Sequence, residues 1–130
     1  MRICIDIDGV ICHFKQPGQS YADVEPIAGA SEKIREFKTA GHTIILYTGR
    51  HMKTCNGNVG MVIARQGKVT LDWLERHDIP FDELHFGKPY ADVYIDDNAL
   101  RFSNWQAFSG DHFSIPVSNE NSQSQPLTPE

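Results

Sequence analysis

Short, unbroken apolar runs rich in β-branched residues recur along the chain, and polar segments with helical spacing separate them. Ile3-Cys4-Ile5-Asp6-Ile7, halted by Gly9, predicts a buried first strand, and Thr43-Ile44-Ile45-Leu46-Tyr47 a second. Glu83–Phe86 and Val93-Tyr94-Ile95 predict two more. Between the first two lies a helical pattern with Ser31 as expected N-cap, Ile34 and Phe37 three apart, and Gly41 as the stop. A second helix is expected over Val69–His77, where Leu71, Trp73 and Leu74 read as core, and a last one over Ala99–Ala107, packed down by Trp105 and Phe108. His13–Glu25 contains Pro17-Gly18, Ser20 and Asp23 and reads as a small flap, and His51–Gly60 as a loop. Alternating strands and helices predict an α/β domain with a mostly parallel sheet, whose ligand crevice lies beyond the carboxyl ends of the strands.

The 130-residue length fits one such domain, here taken as residues 1–116. Ser118–Glu130 holds no aromatic residue and is dominated by polar residues and proline. Residues 117–130 therefore read as a disordered tail that cannot offset its ordering entropy by burial. No run is long and apolar enough to span a bilayer, and the N-terminus lacks the layout of a secretory signal. Three cysteines without CxxC spacing argue against a disulfide framework or zinc ribbon and suit a reducing cytoplasm, with Cys4 read as a small core residue. A net charge of −5 without a basic run disfavours nucleic acid as partner.

The predicted strands end in chemistry. Asp6 and Asp8 follow the first strand, Thr48-Gly49-Arg50 the second, Lys88 lies just past the third, and Asp96-Asp97 follow the fourth. Side chains two apart share one side of an extended chain, so Asp6 and Asp8 can face one site. Carboxylates gathered there repel unless a cation sits among them, and an oxygen-only donor set favours magnesium over zinc. A carboxylate attacking a phosphate needs its repulsion offset. Lys88 can supply a fixed charge, and the Thr48 hydroxyl and Gly49 N–H can supply donors. One carboxylate can then form an aspartyl-phosphate while the other handles protons.

These residues resemble the four motifs of the haloacid dehalogenase-like phosphatase superfamily, in the family's order. Asp6-Ile7-Asp8-Gly9-Val10 matches the first, Thr48 the second, Lys88 the third and Asp96-Asp97 the fourth. The resemblance implies a single Rossmann-like domain with helices on both faces of the sheet. It also implies Asp6 as nucleophile and magnesium ligand, Asp8 as general acid/base with its backbone carbonyl also on the metal, and Thr48 and Lys88 as holders of the phosphoryl group. Asp97 would bind the metal directly, with Asp96 in support. Neither the Asp8–Thr48 nor the Thr48–Lys88 interval holds an extra domain, so the chain looks like a capless member. It is similar to small phosphatases of capsule or polysaccharide synthesis. The expected activity is phosphomonoester hydrolysis on a small phosphorylated metabolite such as a sugar phosphate. A capless site would be closed either by the flap with a neighbouring subunit, making a homo-oligomer, or by a large substrate.

Bland readings compete with each residue. Asp8-Gly9 alone is a turn signal, and Asp96-Asp97-Asn98 alone a helix N-cap. Arg50 is either a contact for a second phosphate or carboxylate of the substrate or a structural arginine. His13, His51 and His85 read as non-catalytic, and Asn56–Gly60 as a plain loop. Two other function classes remain: a phosphoacceptor receiver-like domain, disfavoured because Lys88 precedes Asp96-Asp97, and a non-catalytic binding module, for which a retained Asp6/Asp8 pair is superfluous.

Overall fold

The structure, a computed structural model, describes residues 1–108. The expected tail, and the stretch up to the expected domain end at 116, lie outside them. Three strands and two helices alternate: β1 (Arg2–Asp6), α1 (Ala30–Thr39), β2 (Thr43–Thr48), α2 (Val59–Arg76) and β3 (Glu83–Phe86). Single 3-10 turns occur at Tyr21–Asp23 and Trp105–Ala107. The sheet is parallel with order β1-β2-β3, and Leu46 lies opposite Ile5 on one side and Leu84 on the other.

Both crossovers step in the same direction across the sheet, so right-handed connections place α1 and α2 on one face. Ala30, Ile34 and Phe37 of α1 and Trp73 and Leu74 of α2 accordingly share one core with Ile5, Ile44 and Leu46. The opposite face carries Cys4, Ile45, Tyr47 and His85, and Cys4 is exposed there instead of lying in the core. Among the described residues, then, the α/β arrangement has one helical layer.

Local chemistry explains where element boundaries move. α1 starts at Ala30 with Gly29 as its cap, while the Ser31 hydroxyl donates to the Asp78 carbonyl at 3.1 Å. Its C-terminus ends as expected at Gly41, whose positive φ suits the exit. α2 starts at Val59, well before the expected Val69, because the Asn58 side chain caps it by accepting from Met61 N–H at 3.2 Å. Its buried stripe runs through Val62, Gln66, Gly67, Thr70, Trp73 and Leu74. Half of that stripe is not apolar, which hides its first turns from an apolar-spacing argument. Leu71 falls off the stripe and is exposed, not core.

The last two expected elements do not form. Val93-Tyr94-Ile95 has no ladder partner, and Ile95 is 97 % exposed. Its neighbours are satisfied locally: the Tyr94 hydroxyl donates to the Pro89 carbonyl, and Asn98 N–H to the Asp96 carboxylate at 3.1 Å. In place of a helix over Ala99–Ala107 there is only the turn Trp105–Ala107, capped by Asn104. Trp105 is nevertheless buried, donating its indole N–H to the Val10 carbonyl at 2.8 Å and packing on Phe102 and Phe108.

The 13–25 segment is anchored. Trp73 donates to the Val24 carbonyl and Arg76 to the Ala22 carbonyl, each at 2.8 Å, tying this flap to α2. Among the described residues no helix is long and apolar enough to cross a membrane.

Candidate active site

Asp6 is the last residue of β1, and the chain continues beside β2 through Ile7 N–H, which donates to the Tyr47 carbonyl at 3.0 Å. It then turns sharply: the N–H groups of Ile11 and Cys12 both return to the Ile7 carbonyl. Gly9 makes that turn at φ 85°, a left-handed backbone conformation that favours glycine. Thr48 ends β2, and Lys88 lies just past β3 with its N–H on the Thr48 carbonyl at 3.1 Å. A Cβ on Gly49 would approach the Lys88 carbonyl oxygen to 3.0 Å, so a bare backbone lets the two strand exits abut. Parallel pairing thus brings Asp6, Asp8, Thr48, Gly49, Arg50 and Lys88 to one end of the sheet.

Two ion pairs organise them. Lys88 Nζ lies 3.0 Å from Asp6 Oδ2, with the two side chains 20 % and 30 % exposed. Burial pushes the Asp6 carboxyl above its ordinary range; Lys88 pulls it down, and Asp8 pushes it up again. Asp8 is held from both sides. Arg50 Nε donates to its Oδ1 at 2.9 Å, with a longer contact of 3.3 Å to Oδ2, and the Thr48 hydroxyl donates to Oδ2 at 2.9 Å. Thr48 has a single hydroxyl proton, which here goes to Asp8, while its oxygen accepts from Arg50 N–H at 3.1 Å.

Arg50 is enclosed, its side chain 1 % exposed against 20 % for Asp8. Nη1 donates to the Thr70 hydroxyl at 3.1 Å, Nη2 reaches Cys12 Sγ at 3.6 Å, and the Tyr21 ring covers the guanidinium at 4.3 Å. Burial pushes the Cys12 thiol up to about 12, so it stays protonated and inert. His51, at φ 59°, meets the Gln66 amide at 3.1 Å, and its ring is pushed down by burial and by Arg65, Lys15 and Arg50. Cys12 stood out in the sequence only as a cysteine near the first motif; Tyr21, Thr70 and Gln66 had no signal there, since each reaches the site only through folding of the flap or α2.

Asp96 and Asp97 are exposed, and the structure does not bring them to Asp6 and Asp8. Hydrogen bonds from Asn98 and Asp97 hold the Asp96 carboxyl below its usual range. Among the described residues no group of three or more His, Cys, Asp or Glu side chains is placed to hold a metal ion. As arranged, the described residues do not complete a magnesium site, because Asp6 and Asp8 converge while Asp96 and Asp97 stand apart. A surface depression of about 330 Å³ lined by Arg35, Leu74, Glu75, Asp78, Ile79 and Pro80 contains none of these groups.

No family model and no curated protein matches the sequence. A Vibrio cholerae protein, its crystal structure described as that of an MCSG target, is 31 % identical with a TM-score of 0.77. The match covers 85 % of this chain and 90 % of that one. The chain belongs to the same family as the Vibrio cholerae protein. Such coverage takes in most of the chain, so the likeness extends well beyond a shared sheet.

Proposed function

We propose that this protein is a magnesium-dependent phosphomonoesterase of the haloacid dehalogenase-like, capless type, working through an aspartyl-phosphate. The observation that carries the reading is Lys88 Nζ at 3.0 Å from Asp6 Oδ2, bridging positions 82 residues apart. A paired lysine beside a carboxylate at a strand end is what a nucleophile meeting a phosphate dianion needs. Arrival of Asp8 and Thr48 at the same end adds support, as does the order of the motifs in the sequence. The complete Rossmann-like fold, with a second helical layer, belongs to the same proposal.

In this reading the Asp6 carboxylate attacks phosphorus while Asp8 passes a proton to the leaving oxygen. The bond from phosphorus to that oxygen breaks, and an aspartyl-phosphate forms. Asp8, now ionised, takes a proton from water, whose oxygen attacks phosphorus; phosphate leaves and Asp6 is regenerated. Lys88 and the Gly49 N–H hold the transferring oxygens. Magnesium enters the proposal through the oxygen donors Asp6, Asp8, Asp97 and Asp96. With the second pair standing apart, no step is routed through it. The substrate proposed is a small phosphorylated metabolite, with a sugar phosphate of polysaccharide synthesis as the specific candidate, and the compartment is the cytoplasm. Closure falls to a neighbouring subunit of a homo-oligomer beside the flap, or to a large substrate.

One observation favours a second reading: both oxygens of Asp8 are occupied, as they would be in a phosphometabolite-binding domain that performs no chemistry. Turnover separates the two. Purified protein with magnesium is expected to hydrolyse 4-nitrophenyl phosphate, and Asp6→Asn to abolish it. Full activity in that variant, or none in the native protein across a panel of phosphorylated metabolites, would sink the enzymatic reading.

A further inference from the structure

Resting on the reading of Asp8 as the proton-transfer group, we infer that Arg50 is a positioning residue: it orients and charge-balances Asp8 and does not touch substrate. From its place beside Thr48-Gly49, Arg50 could equally serve as a ligand for a substrate anion. Its surroundings decide against that role. All three guanidinium nitrogens have acceptors inside the protein: Nε on Asp8, Nη1 on Thr70 and Nη2 on Cys12. The Tyr21 ring lies over its face at 4.3 Å, and Tyr21 sits in a flap that Trp73 and Arg76 tie to α2. With its side chain 1 % exposed, the guanidinium presents no open face to a substrate anion.

The geometry also defines what the residue does. Arg50 Nε and the Thr48 hydroxyl each approach a different Asp8 oxygen at 2.9 Å, which fixes the carboxylate plane against rotation. The guanidinium places its positive charge against Asp8, which offsets the repulsion between Asp8 and Asp6. A carboxylate held in one plane presents its oxygens to water in a fixed direction, so the step served most is hydrolysis of the aspartyl-phosphate, in which Asp8 takes the proton of water. Lysine cannot replace this planar fork, because its donors sit on one nitrogen and do not spread to Asp8, Thr70 and Cys12 as the guanidinium does.

The test uses the full chain with magnesium and 4-nitrophenyl phosphate, whose leaving group needs no proton. In Arg50→Lys, formation of the intermediate continues while its hydrolysis slows by about 10²-fold or more. The expected result is a burst of one 4-nitrophenol per site, with kcat and KM falling together. A raised KM at unchanged kcat would make Arg50 a substrate ligand, and a lowered kcat/KM without a burst would make it merely structural; either overturns the proposal. A second measurement needs neither variant nor turnover: the Arg50 Nε–H in the native protein, followed by NMR hydrogen exchange with and without inorganic phosphate. Equal protection in both is expected, and protection gained only with phosphate overturns the proposal. A native protein that hydrolyses nothing would defeat the phosphatase reading alone, since the exchange measurement still assigns Arg50.

Discussion

At Asp6 a charged partner and a dry environment act in opposite directions on one carboxyl group. Lys88 favours the anion and burial disfavours it, and burial dominates, leaving the folded-state pKa raised above the ordinary 3.8. A carboxyl raised on folding binds its proton more tightly in the native state. Stability is therefore highest below the ordinary value and declines as pH climbs through the raised one. Replacing Asp6 with asparagine removes that decline while keeping an oxygen for Lys88. Asp6→Asn is therefore expected to melt higher than the native protein at pH 7, with the difference shrinking towards pH 3. Thermal unfolding at both pH values checks this, and a variant less stable at pH 7 would count against it. The cost at Asp6 is borne where the proposed nucleophile sits, as is common at sites of chemistry. Most of this site was legible residue by residue, because Asp6, Asp8, Thr48 and Lys88 stand at or just past strand ends. The enclosure of Arg50 was not: it depends on Tyr21 and Thr70, which folding alone brings to it.

Among the elements, β1 and β2 were legible as short apolar runs with a clear terminator, and β3 as Leu84 and Phe86 alternating with polar residues just before Gly87. α1 was legible through Ile34, Phe37 and Gly41. The first half of α2 was not, since its buried face uses Gln66, Gly67 and Thr70. Asn58 starts that helix, and its side chain satisfies Met61 N–H. Asn58→Ala should therefore destabilise the protein by about 1 kcal/mol, measurable as a lower denaturation midpoint at unchanged slope. No change would mean that the helix is held by packing alone. The segment Val93–Ile95 shows the converse failure: strand-forming residue types are present, but a strand also requires a partner, and here local hydrogen bonds satisfy its neighbours.

Across the whole molecule, all of the core described lies on one side of the sheet. Cys4 faces the other side and is open to solvent, although partial burial still pushes its thiol upward. Cys12 is enclosed with Arg50. Iodoacetamide at mildly alkaline pH should therefore modify Cys4 in the native protein and Cys12 only after unfolding. Equal protection of both thiols would mean that the second face is covered.

Trapping the covalent intermediate decides whether Asp6 is the proposed nucleophile. The protein is mixed with magnesium and a phosphomonoester labelled in its phosphoryl group, quenched in acid within milliseconds, and its peptides are sequenced by mass spectrometry. Label is expected on the tryptic peptide from Ile3 to Lys15, localised to Asp6 and absent in Asp6→Asn. Label on any other residue, or turnover that survives in Asp6→Asn, would contradict it.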